Sequence, residues 1–388
     1  MVNTLYHGEP AIVWEEALGA NVLDADGNRY IDLTSGFGVA TIGHRHPRVV
    51  AAVQRQSDRL LHGMGDVAAH PARIELGRRL ARLVPVEDAQ IYFAISGADA
   101  VETALASALL FTGKPGVLAF EGAYHGTTFG ALAATSRPAF REPLARHLTP
   151  HVRRLPYGSP PRQLRAALVR GDVGCVLVEP ILGREGVVLP PPGWLQELER
   201  ACRRHGALFA VDEIFTGFGK TGALFVSAAE GLEPDLLCCG KALGGGLPIA
   251  AVAGRREVLA AWDRGGEALR TATFLAHPLA CAAALTTLDV LRDERLPLRA
   301  ARLGKRVAAR LAELSANRAD LRVRGRGLLW GVELDDGDAA AAAAARARAR
   351  GVLVLAGGER GAVLQIAPPL VIHERQLEHA LAVLGEAL

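Results

Sequence analysis

The chain has 388 residues, which is enough for one large domain and a smaller one. Its residues are 50% hydrophobic and 22% charged, and the net charge is +3. This composition is typical of a globular enzyme. The small charge and the dispersed Lys and Arg residues argue against a nucleic-acid partner.

The N-terminal sequence and the cysteines indicate where the protein works. The opening MVNTLYHGEPAIVWEEALG has no basic segment followed by an apolar run, so we expect no signal peptide. No apolar stretch approaches the roughly eighteen residues of a membrane span, so we expect no membrane partner. No CxxC pair occurs, and we predict no metal site. We interpret the five cysteines as buried reduced thiols, which predicts a cytoplasmic protein: Cys175, Cys202, Cys238, Cys239 and Cys281.

The first two thirds of the chain predict a hairpin followed by alternating helices and strands. GANVLDADGNRYIDL alternates apolar and polar residues around a DADGN turn, which is typical of a β-hairpin. A helical period follows in HPRVVAAVQRQSDRLL. From about residue 70 helices alternate with the strands AQIYFAI, GVLAFEG, GCVLVEPI, ALFAVDEI and PDLLCCG. This order predicts a parallel sheet with helices on both faces.

After about residue 285 the pattern becomes that of a smaller α+β domain. A long helical stretch, TTLDVLRDERLPLRAARLGKRVAARLAEL, precedes three predicted strands, VRGRGLLWGVEL, GVLVLAG and AVLQIAPPLVI, and a terminal helix. The run DDGDAAAAAAARARARG predicts a surface helix that Asp338 caps and Gly351 ends. Its arginines lie in one short helix, which favours a structural role over nucleic-acid binding.

The segment IFTGFGKTGAL, residues 214–224, resembles the end of a phosphate-binding P-loop at Gly219-Lys220-Thr221. The pattern GxxxxGK[ST] requires glycine at position 214, where this chain has Ile214. Two acidic residues directly upstream also oppose a phosphate site. We therefore predict that Lys220 serves the loop or a subunit interface rather than a nucleotide.

Ligands of a doubly wound sheet bind outside the carboxyl ends of its strands. The strand AQIYFAI ends at Ser96-Gly97-Ala98, directly before a predicted helix. Free N–H groups, the helix dipole and a hydroxyl favour an anion site there, and a plain N-cap by the serine is an equally good interpretation. Tyr124, after the next strand, either stacks on a flat ligand ring or packs its own loop.

Three more polar residues follow buried strands. Glu179 and Asp212 lie at strand ends, and Asp212 belongs to an otherwise apolar strand, where a carboxylate needs a cationic partner. Lys241 has Cys, Leu and Ala neighbours, which predicts a desolvated amine with a lowered pKa rather than a solvated loop lysine. A phosphate site, a ring stacker, a buried carboxylate and a nucleophilic amine are together what pyridoxal phosphate (PLP) requires.

Six motifs in order resemble the class III PLP-dependent aminotransferases, the family of the ornithine, acetylornithine and 4-aminobutyrate enzymes: SGADAVETAL, GAYHGTT, VEPILGREG, VDEIFTGFGKTG, GKALGGGLPIAA and TATFLAHPLACAAA. The resemblance spans nearly the whole chain. It implies a fold-type-I homodimer with active sites at the subunit interface, a small-molecule amine donor and a carbonyl acceptor. The implied organisation is an N-terminal segment (1–45) joined to a small C-terminal domain (286–388), with a large PLP-binding domain (46–285) between them.

The resemblance also implies roles for individual residues. Lys241 is the Schiff-base lysine and proton carrier, and Asp212 pairs with the pyridine nitrogen. Ile214 and Tyr124 lie on opposite faces of the cofactor ring, and Phe37 lines the substrate side. The other implied cofactor-binding residues are Ser96, Gly97, Ala98, His125, Glu179 and Thr273, the last contributed to the phosphate site of the neighbouring subunit.

Four positions depart from the family pattern. Phe215 replaces a Gln that reaches the cofactor's ring oxygen, and Thr127 replaces an Arg that grips a substrate carboxylate. Gln365 stands where many members have a carboxylate-binding Arg, and Arg184 stands where the Glu that gates this Arg is usual. Our hypothesis is that Arg184 now binds the carboxylate, against the alternative that it faces solvent or forms a structural ion pair. With these changes a primary amine, a diamine or an amino sugar formed from an aldehyde is favoured as substrate over 4-aminobutyrate or ornithine.

The leading interpretation is a transaminase acting by a ping-pong mechanism. A PLP-dependent aminomutase, racemase or decarboxylase of the same fold is the first alternative. A non-catalytic cofactor-binding protein is the second, and the intact Lys241 and Asp212 argue against it. A P-loop protein is the third.

Overall fold

A computed structural model of the protein describes residues 12–65, 67–266, 268–316 and 318–388. The first eleven residues of the predicted N-terminal segment therefore lie outside the described residues. They include most of the stretch on which we based the expectation of no signal peptide. Within the described ranges the strands form three sheets, one of seven strands and two of four. No helix in these ranges has both the length and the apolar character needed to cross a membrane.

The N-terminal hairpin is confirmed. Strands β2 (Asn21–Asp24) and β3 (Arg29–Asp32) pair antiparallel, and β1 (Trp14–Leu18) adds to the outer side of β2. The Asp24 carboxylate closes the turn by accepting the N–H of Asn28 at 2.8 Å. The single turn α1 (Ser35–Gly38) and the helix α2 (Pro47–Ser57) follow.

The large sheet and its helices occupy the middle of the chain. Two 3₁₀ helices lie among them, at Glu142–His147 and Lys241–Gly244. The elements in order are α3 (Pro71–Leu83), β4 (Ala89–Ala94), α4 (Gly97–Thr112), β5 (Gly116–Phe120), α5 (Phe129–Ala134), α6 (Pro138–Arg141), β6 (Val152–Leu155), α7 (Pro161–Leu168), β7 (Val173–Val178), α8 (Trp194–His205), β8 (Leu208–Asp212), α9 (Val226–Ala229), β9 (Leu236–Cys239), β10 (Ala250–Arg255) and α10 (Arg256–Ala260).

The large sheet is mostly parallel, as predicted. Its strand order is β4-β10-β9-β8-β7-β5-β6, and only β10 runs antiparallel to its neighbours. Strand β8 shows why both faces are covered: Ala210 belongs to one apolar core with Ala104 of α4, whereas Phe209 and Val211 belong to another with Leu198 of α8. Strands buried on both faces read as continuous apolar runs, which is what the sequence shows.

The C-terminal part contains α11 (Pro278–Asp293), α12 (Leu296–Ser315), β11 (Arg322–Arg326), β12 (Leu329–Glu333), α13 (Gly337–Ala349), β13 (Val352–Leu353), β14 (Leu355–Gly357), β15 (Val363–Ile366) and α14 (Glu374–Ala387). Strands β11-β12-β15-β14 form an antiparallel sheet. Strand β13 instead pairs parallel with β3, so the N-terminal hairpin and the C-terminal part share a sheet.

Three predictions of continuous elements were wrong. The long helical stretch is two helices, because Arg295 adopts a φ of 49° and Pro297 lies in the first turn of α12. VRGRGLLWGVEL is a two-stranded hairpin that turns at Gly327, whose φ is 59°. GVLVLAG is divided between β13 and β14, which belong to different sheets.

The cap of the alanine-rich helix was also assigned wrongly. Asp336, not Asp338, is the N-cap of α13, and its carboxylate accepts the N–H of Ala339 at 2.8 Å. The free, buried state predicted for the cysteines is confirmed for all five.

Candidate active site

Ser96 follows strand β4 and lies at the N-terminus of α4. Its hydroxyl accepts the N–H of Asp99 at 3.2 Å, so the plain N-cap interpretation holds for this oxygen. The N–H groups of Gly97 and Ala98, in the first turn, have no acceptor within the helix. Gly126 approaches them so closely that a Cβ there would lie 2.6 Å from the Cβ of Ala98. Backbone donors at a helix N-terminus, packed against a glycine loop, form a site that suits a phosphate.

Asp212, the last residue of β8, has the partner that its burial requires. The Nδ1 atom of His125 lies 2.8 Å from one carboxylate oxygen of Asp212, and both side chains are buried. The other oxygen accepts the N–H of Ile214 at 3.0 Å. The Nε2 atom of His125 is buried and has no hydrogen-bond partner among the described residues. The backbone N–H of His125 donates to the Thr135 hydroxyl at 2.9 Å, which fixes the loop that carries the ring.

Glu179 follows β7 and joins two loops of the site. Its carboxylate accepts the N–H of Tyr124 at 2.8 Å and that of Gly183 at 3.1 Å. Burial raises the pKa of Glu179 to about 7, and the negative charge of Asp212 raises it further. His125 has the opposite effect and lowers this pKa. Glu179 therefore holds the backbone of two loops around the site and interacts electrostatically with His125 and Asp212.

Lys241 begins the 3₁₀ turn after β9 and adopts a φ of 42°. Burial lowers the pKa of Lys241, Asp212 and Glu179 oppose that change, and the positive charge of Arg184 adds to it. Its Nζ atom lies 4.8 Å from the centre of the Phe215 ring. The structure thus gives Lys241 the lowered pKa that its apolar neighbours predicted, which favours the nucleophilic amine.

Two glycines fix the Phe215 ring against this lysine. A Cβ on Gly183 would lie 2.4 Å from the ring, and one on Gly38 would lie 2.9 Å from it. Gly38 also approaches Lys241, because the same Cβ would lie 3.8 Å from the Cδ atom of the lysine. The ring therefore occupies a slot that exists only because both neighbours lack a side chain.

Arg184 lies beside two aromatic rings. Its guanidinium carbon is 4.5 Å from the centre of the Tyr124 ring and 5.0 Å from that of Phe140. Arg184 is exposed, and its guanidinium forms no hydrogen bond or ion pair with any described residue. The structural ion pair that we considered as an alternative is therefore absent from the described part of the chain, whereas the exposure of Arg184 agrees with the other alternative, a side chain that faces solvent. Phe140 was missed in the sequence, where nothing distinguishes it from a packing residue of the loop.

The remaining predicted residues make the following contacts. The Gln365 amide donates to the carbonyl oxygen of Gly183, so it holds the loop that carries Arg184. Phe37 is 64% exposed and directly precedes Gly38. The Ile214 side chain faces Gly97, where a Cβ would lie 3.0 Å from it. Thr273 is exposed, and its carbonyl oxygen lies near Gly65.

The residues that lie together fit PLP. A helix N-terminus faces the glycine loop, and a buried lysine with a lowered pKa lies within the field of two carboxylates. His125 keeps a buried nitrogen that has no partner in the described ranges. Among the described residues no group of three or more His, Cys, Asp or Glu could hold a metal ion.

Comparisons with known proteins agree with this reading. The family model named Aminotransferase class-III matches residues 4–388. An acetylornithine aminotransferase from Methanopyrus kandleri is 43% identical over 370 residues, which cover 95% of this chain and 92% of that protein. The acetylornithine aminotransferase of Methanothermobacter thermautotrophicus is 38% identical over 378 residues, covering 97% and 94% of the two chains.

Solved structures are similar over almost the same length. The ornithine aminotransferase of Toxoplasma gondii has a TM-score of 0.91 and 31% identity, and the match covers 99% of this chain and 92% of that one. An amine transaminase from an uncultivated Pseudomonas species, solved in its PLP-bound form, has a TM-score of 0.91 and 28% identity, with 100% and 97% covered. These neighbours confirm the predicted fold class and cofactor. The chain belongs to the class III aminotransferases, and it is a PLP-dependent enzyme that catalyses transamination.

Proposed function

We propose that Lys241 and Asp212 are the catalytic residues of this transaminase and that the donor is a small molecule with a terminal primary amine. The observation that carries the proposal is the convergence of Lys241, Asp212, His125 and Glu179 at the carboxyl ends of the central strands. When bound, PLP supplies an aldehyde and an electron-accepting ring. The lowered pKa of Lys241 supports its role as the amine that binds the cofactor and carries protons.

Asp212 acts on the cofactor ring nitrogen in this proposal. Its carboxylate already receives the His125 ring and the Ile214 N–H, which orient it. Ile214 and Tyr124 would contact the two faces of the ring, and the Ser96–Ala98 turn would hold the phosphate, while Glu179 binds the Tyr124 backbone N–H. The close approach of Gly126 to Ala98 and the contact of Ile214 with Gly97 support this placement.

Arg184 is the proposed contact for the carboxylate of the keto-acid acceptor. Two aromatic rings, Tyr124 and Phe140, lie beside the guanidinium, whose N–H groups have no partner among the described residues. A guanidinium edge binds a carboxylate through two parallel hydrogen bonds. Gln365 supports the site indirectly through the Gly183 carbonyl, and Phe37 lines the donor side.

The proposed donor is narrowed by two substitutions and by the relatives. Thr127 and Gln365 stand where the family places carboxylate-binding arginines, which disfavours 4-aminobutyrate and ornithine as the main donors. The curated relatives at 43% and 38% identity are named for acetylornithine, whose reacting group is a terminal amine. A diamine, or an amino sugar whose amine is formed from an aldehyde, fits the same description.

The active unit is proposed to be a homodimer that shares its sites, with Thr273 of each chain completing the phosphate site of the other. Its support is the exposed apolar surface around Thr273, formed by Leu61, Met64 and Phe274, each at least 60% exposed. The proposed division into segments 1–45, 46–285 and 286–388 is supported by the pairing of β13 with β3, although the boundary at 285 falls inside α11. Free buried cysteines support a cytoplasmic location.

The experiment is a donor screen on the purified PLP-loaded enzyme without an acceptor. N-acetylornithine, ornithine, 4-aminobutyrate and putrescine are mixed separately with the enzyme, and its visible absorbance is followed. We expect N-acetylornithine or putrescine to bleach the enzyme to its pyridoxamine form, which 2-oxoglutarate then reverses. Preferential bleaching by 4-aminobutyrate or ornithine would contradict the inference from Thr127 and Gln365, and no accumulation of the pyridoxamine form with any amine would favour a racemase or decarboxylase.

A further inference from the structure

Lys220, from the glycine-rich turn that resembles a P-loop, has a buried side chain that the proposed chemistry does not use. Its exposure is 0%, and its Nζ atom donates to the Ser35 hydroxyl at 3.0 Å and to the carbonyl oxygens of Ala367 and Pro368 at 3.1 and 3.4 Å. No phosphate can reach this amine, because protein atoms enclose it. The turn therefore has a function inside the fold.

The set of partners matches an ammonium group. The Ser35 hydroxyl uses its own proton to donate to the Ala367 carbonyl at 2.6 Å, so it can only accept from Lys220. The two carbonyls are also acceptors, and an ammonium has three donors and no acceptor. Burial lowers the pKa of Lys220 to about 7, and the charge of Asp32 opposes this change. The Asp32 carboxylate is itself bound to the His44 ring at 2.8 Å.

The group that Lys220 holds is a turn in an unfavourable conformation. All four residues of α1 have positive φ, including Ser35 at 51° and Phe37 at 59°. Residues other than glycine rarely adopt this region, so surrounding contacts must maintain it. The Asp32 carboxylate accepts the N–H of Gly36 at 3.1 Å from one side, and Lys220 binds Ser35 from the other.

This turn reaches the active site. Gly38 packs on the Phe215 ring and against Lys241, and Phe37 is exposed next to it. Lys220 thus ties the segment that carries Phe37 to the Ala367–Pro368 segment of the C-terminal part. We propose that Lys220 is a positioning residue that holds the α1 turn, and through it Phe37, in place for the amine donor.

This inference rests on the proposed substrate-side role of Phe37, so its test has one readout that needs no substrate. Lys220→Met removes the ammonium and keeps the length of the side chain, and Lys305→Met, on the exposed face of α12, is the matched control. Hydrogen–deuterium exchange of the PLP-loaded enzyme should show the amides of residues 33–41 exchanging about fivefold faster in Lys220→Met, the equivalent of one lost hydrogen bond. The large sheet should be unaffected.

The second readout is kinetic, with N-acetylornithine and 2-oxoglutarate as probes. Lys220→Met should raise the KM for the amine about fivefold with kcat nearly unchanged, and Lys220→Arg should restore it because a guanidinium also donates to these acceptors. In a Phe37→Ala background Lys220→Met should have little further effect on this KM, since both changes act through the same ring. Ser35→Ala removes one hydrogen-bond partner of Lys220 and adds no bulk, so it should raise this KM by a smaller factor. It takes the place of Lys220→Met in both measurements if Lys220→Met does not fold.

Three outcomes would overturn the proposal: unchanged exchange of residues 33–41, faster exchange with an unchanged KM, and additive effects of Lys220→Met and Phe37→Ala. Failure of the proposed donor class is distinguishable from these, because it would appear as a wild-type enzyme that neither N-acetylornithine nor putrescine bleaches, while the exchange measurement still reports on Lys220.

Discussion

Replacing Arg184 by alanine tests the proposed acceptor contact. Hydrogen bonds to charged groups contribute about 1.5–3 kcal/mol, and the lower end applies here because Arg184 is exposed and solvent screens its charge. About 1.5 kcal/mol corresponds to roughly a tenfold change in an equilibrium constant. We therefore expect Arg184→Ala to raise the KM for 2-oxoglutarate about tenfold. Arg184→Lys should recover only part of this loss, because an ammonium cannot bind a carboxylate through a planar pair of hydrogen bonds.

Two controls isolate the carboxylate. Arg137→Ala removes a neighbouring arginine that is 5.7 Å from the Phe140 ring but already lies 3.6 Å from Glu185 in an ion pair, so the KM should change little. Butanal, an acceptor without a carboxylate, should show the same KM with wild type and Arg184→Ala. The reasoning would be refuted by an unchanged KM for 2-oxoglutarate, or by an equal rise with butanal.

Three further variants test the supports of the site. His125→Ala should lower the free energy of unfolding by about 1–3 kcal/mol in urea titrations, because the buried Asp212 loses a hydrogen-bond donor; a change near zero would contradict that pairing. Gly183→Ala should cost about 1–3 kcal/mol by forcing a methyl group onto the Phe215 ring, and calorimetry should show most of the Tm restored when Phe215→Leu is added. For Lys220, burial lowers the pKa from 10.5 to about 7 in the folded protein. Between pH 7 and 10.5 the unfolded chain therefore binds more protons than the folded chain, and the free energy of unfolding rises with pH. Urea titrations at pH 7 and 9.5 should show wild type gaining about 3 kcal/mol more than Lys220→Met, and equal gains would exclude the lowered pKa.

The large sheet could be predicted because its signal is local. Apolar runs separated by helical periods define parallel strands, and β8 with its terminal Asp212 appears in the structure where the pattern placed it. The C-terminal strands were harder to predict because apolar character does not reveal the sheet a strand joins, so GVLVLAG was not resolved into β13 and β14. The left-handed conformation of Arg295 also has no signal in a helical composition.

The sequence predicted which residues form the site but not which of their side chains contact one another. The sequence predicted a cationic partner for the buried Asp212, and the structure instead places the ring of a histidine, His125, against it, 87 positions away. The contact of Arg184 with Phe140 and the enclosure of Lys220 by Ser35 depend on loops that only the folded chain brings together. A rule that every buried charge needs partners could have singled out Lys220, but it could not have named them.

The central claim is that Lys241 is the amine that carries the cofactor. The yellow enzyme is reduced with borohydride, which fixes the cofactor to its amine, then digested and analysed by mass spectrometry. The account predicts the pyridoxyl group on the peptide that contains Lys241 and its absence after Lys241→Ala. A pyridoxyl group on Lys114, Lys220 or Lys305 in the wild-type enzyme would contradict it.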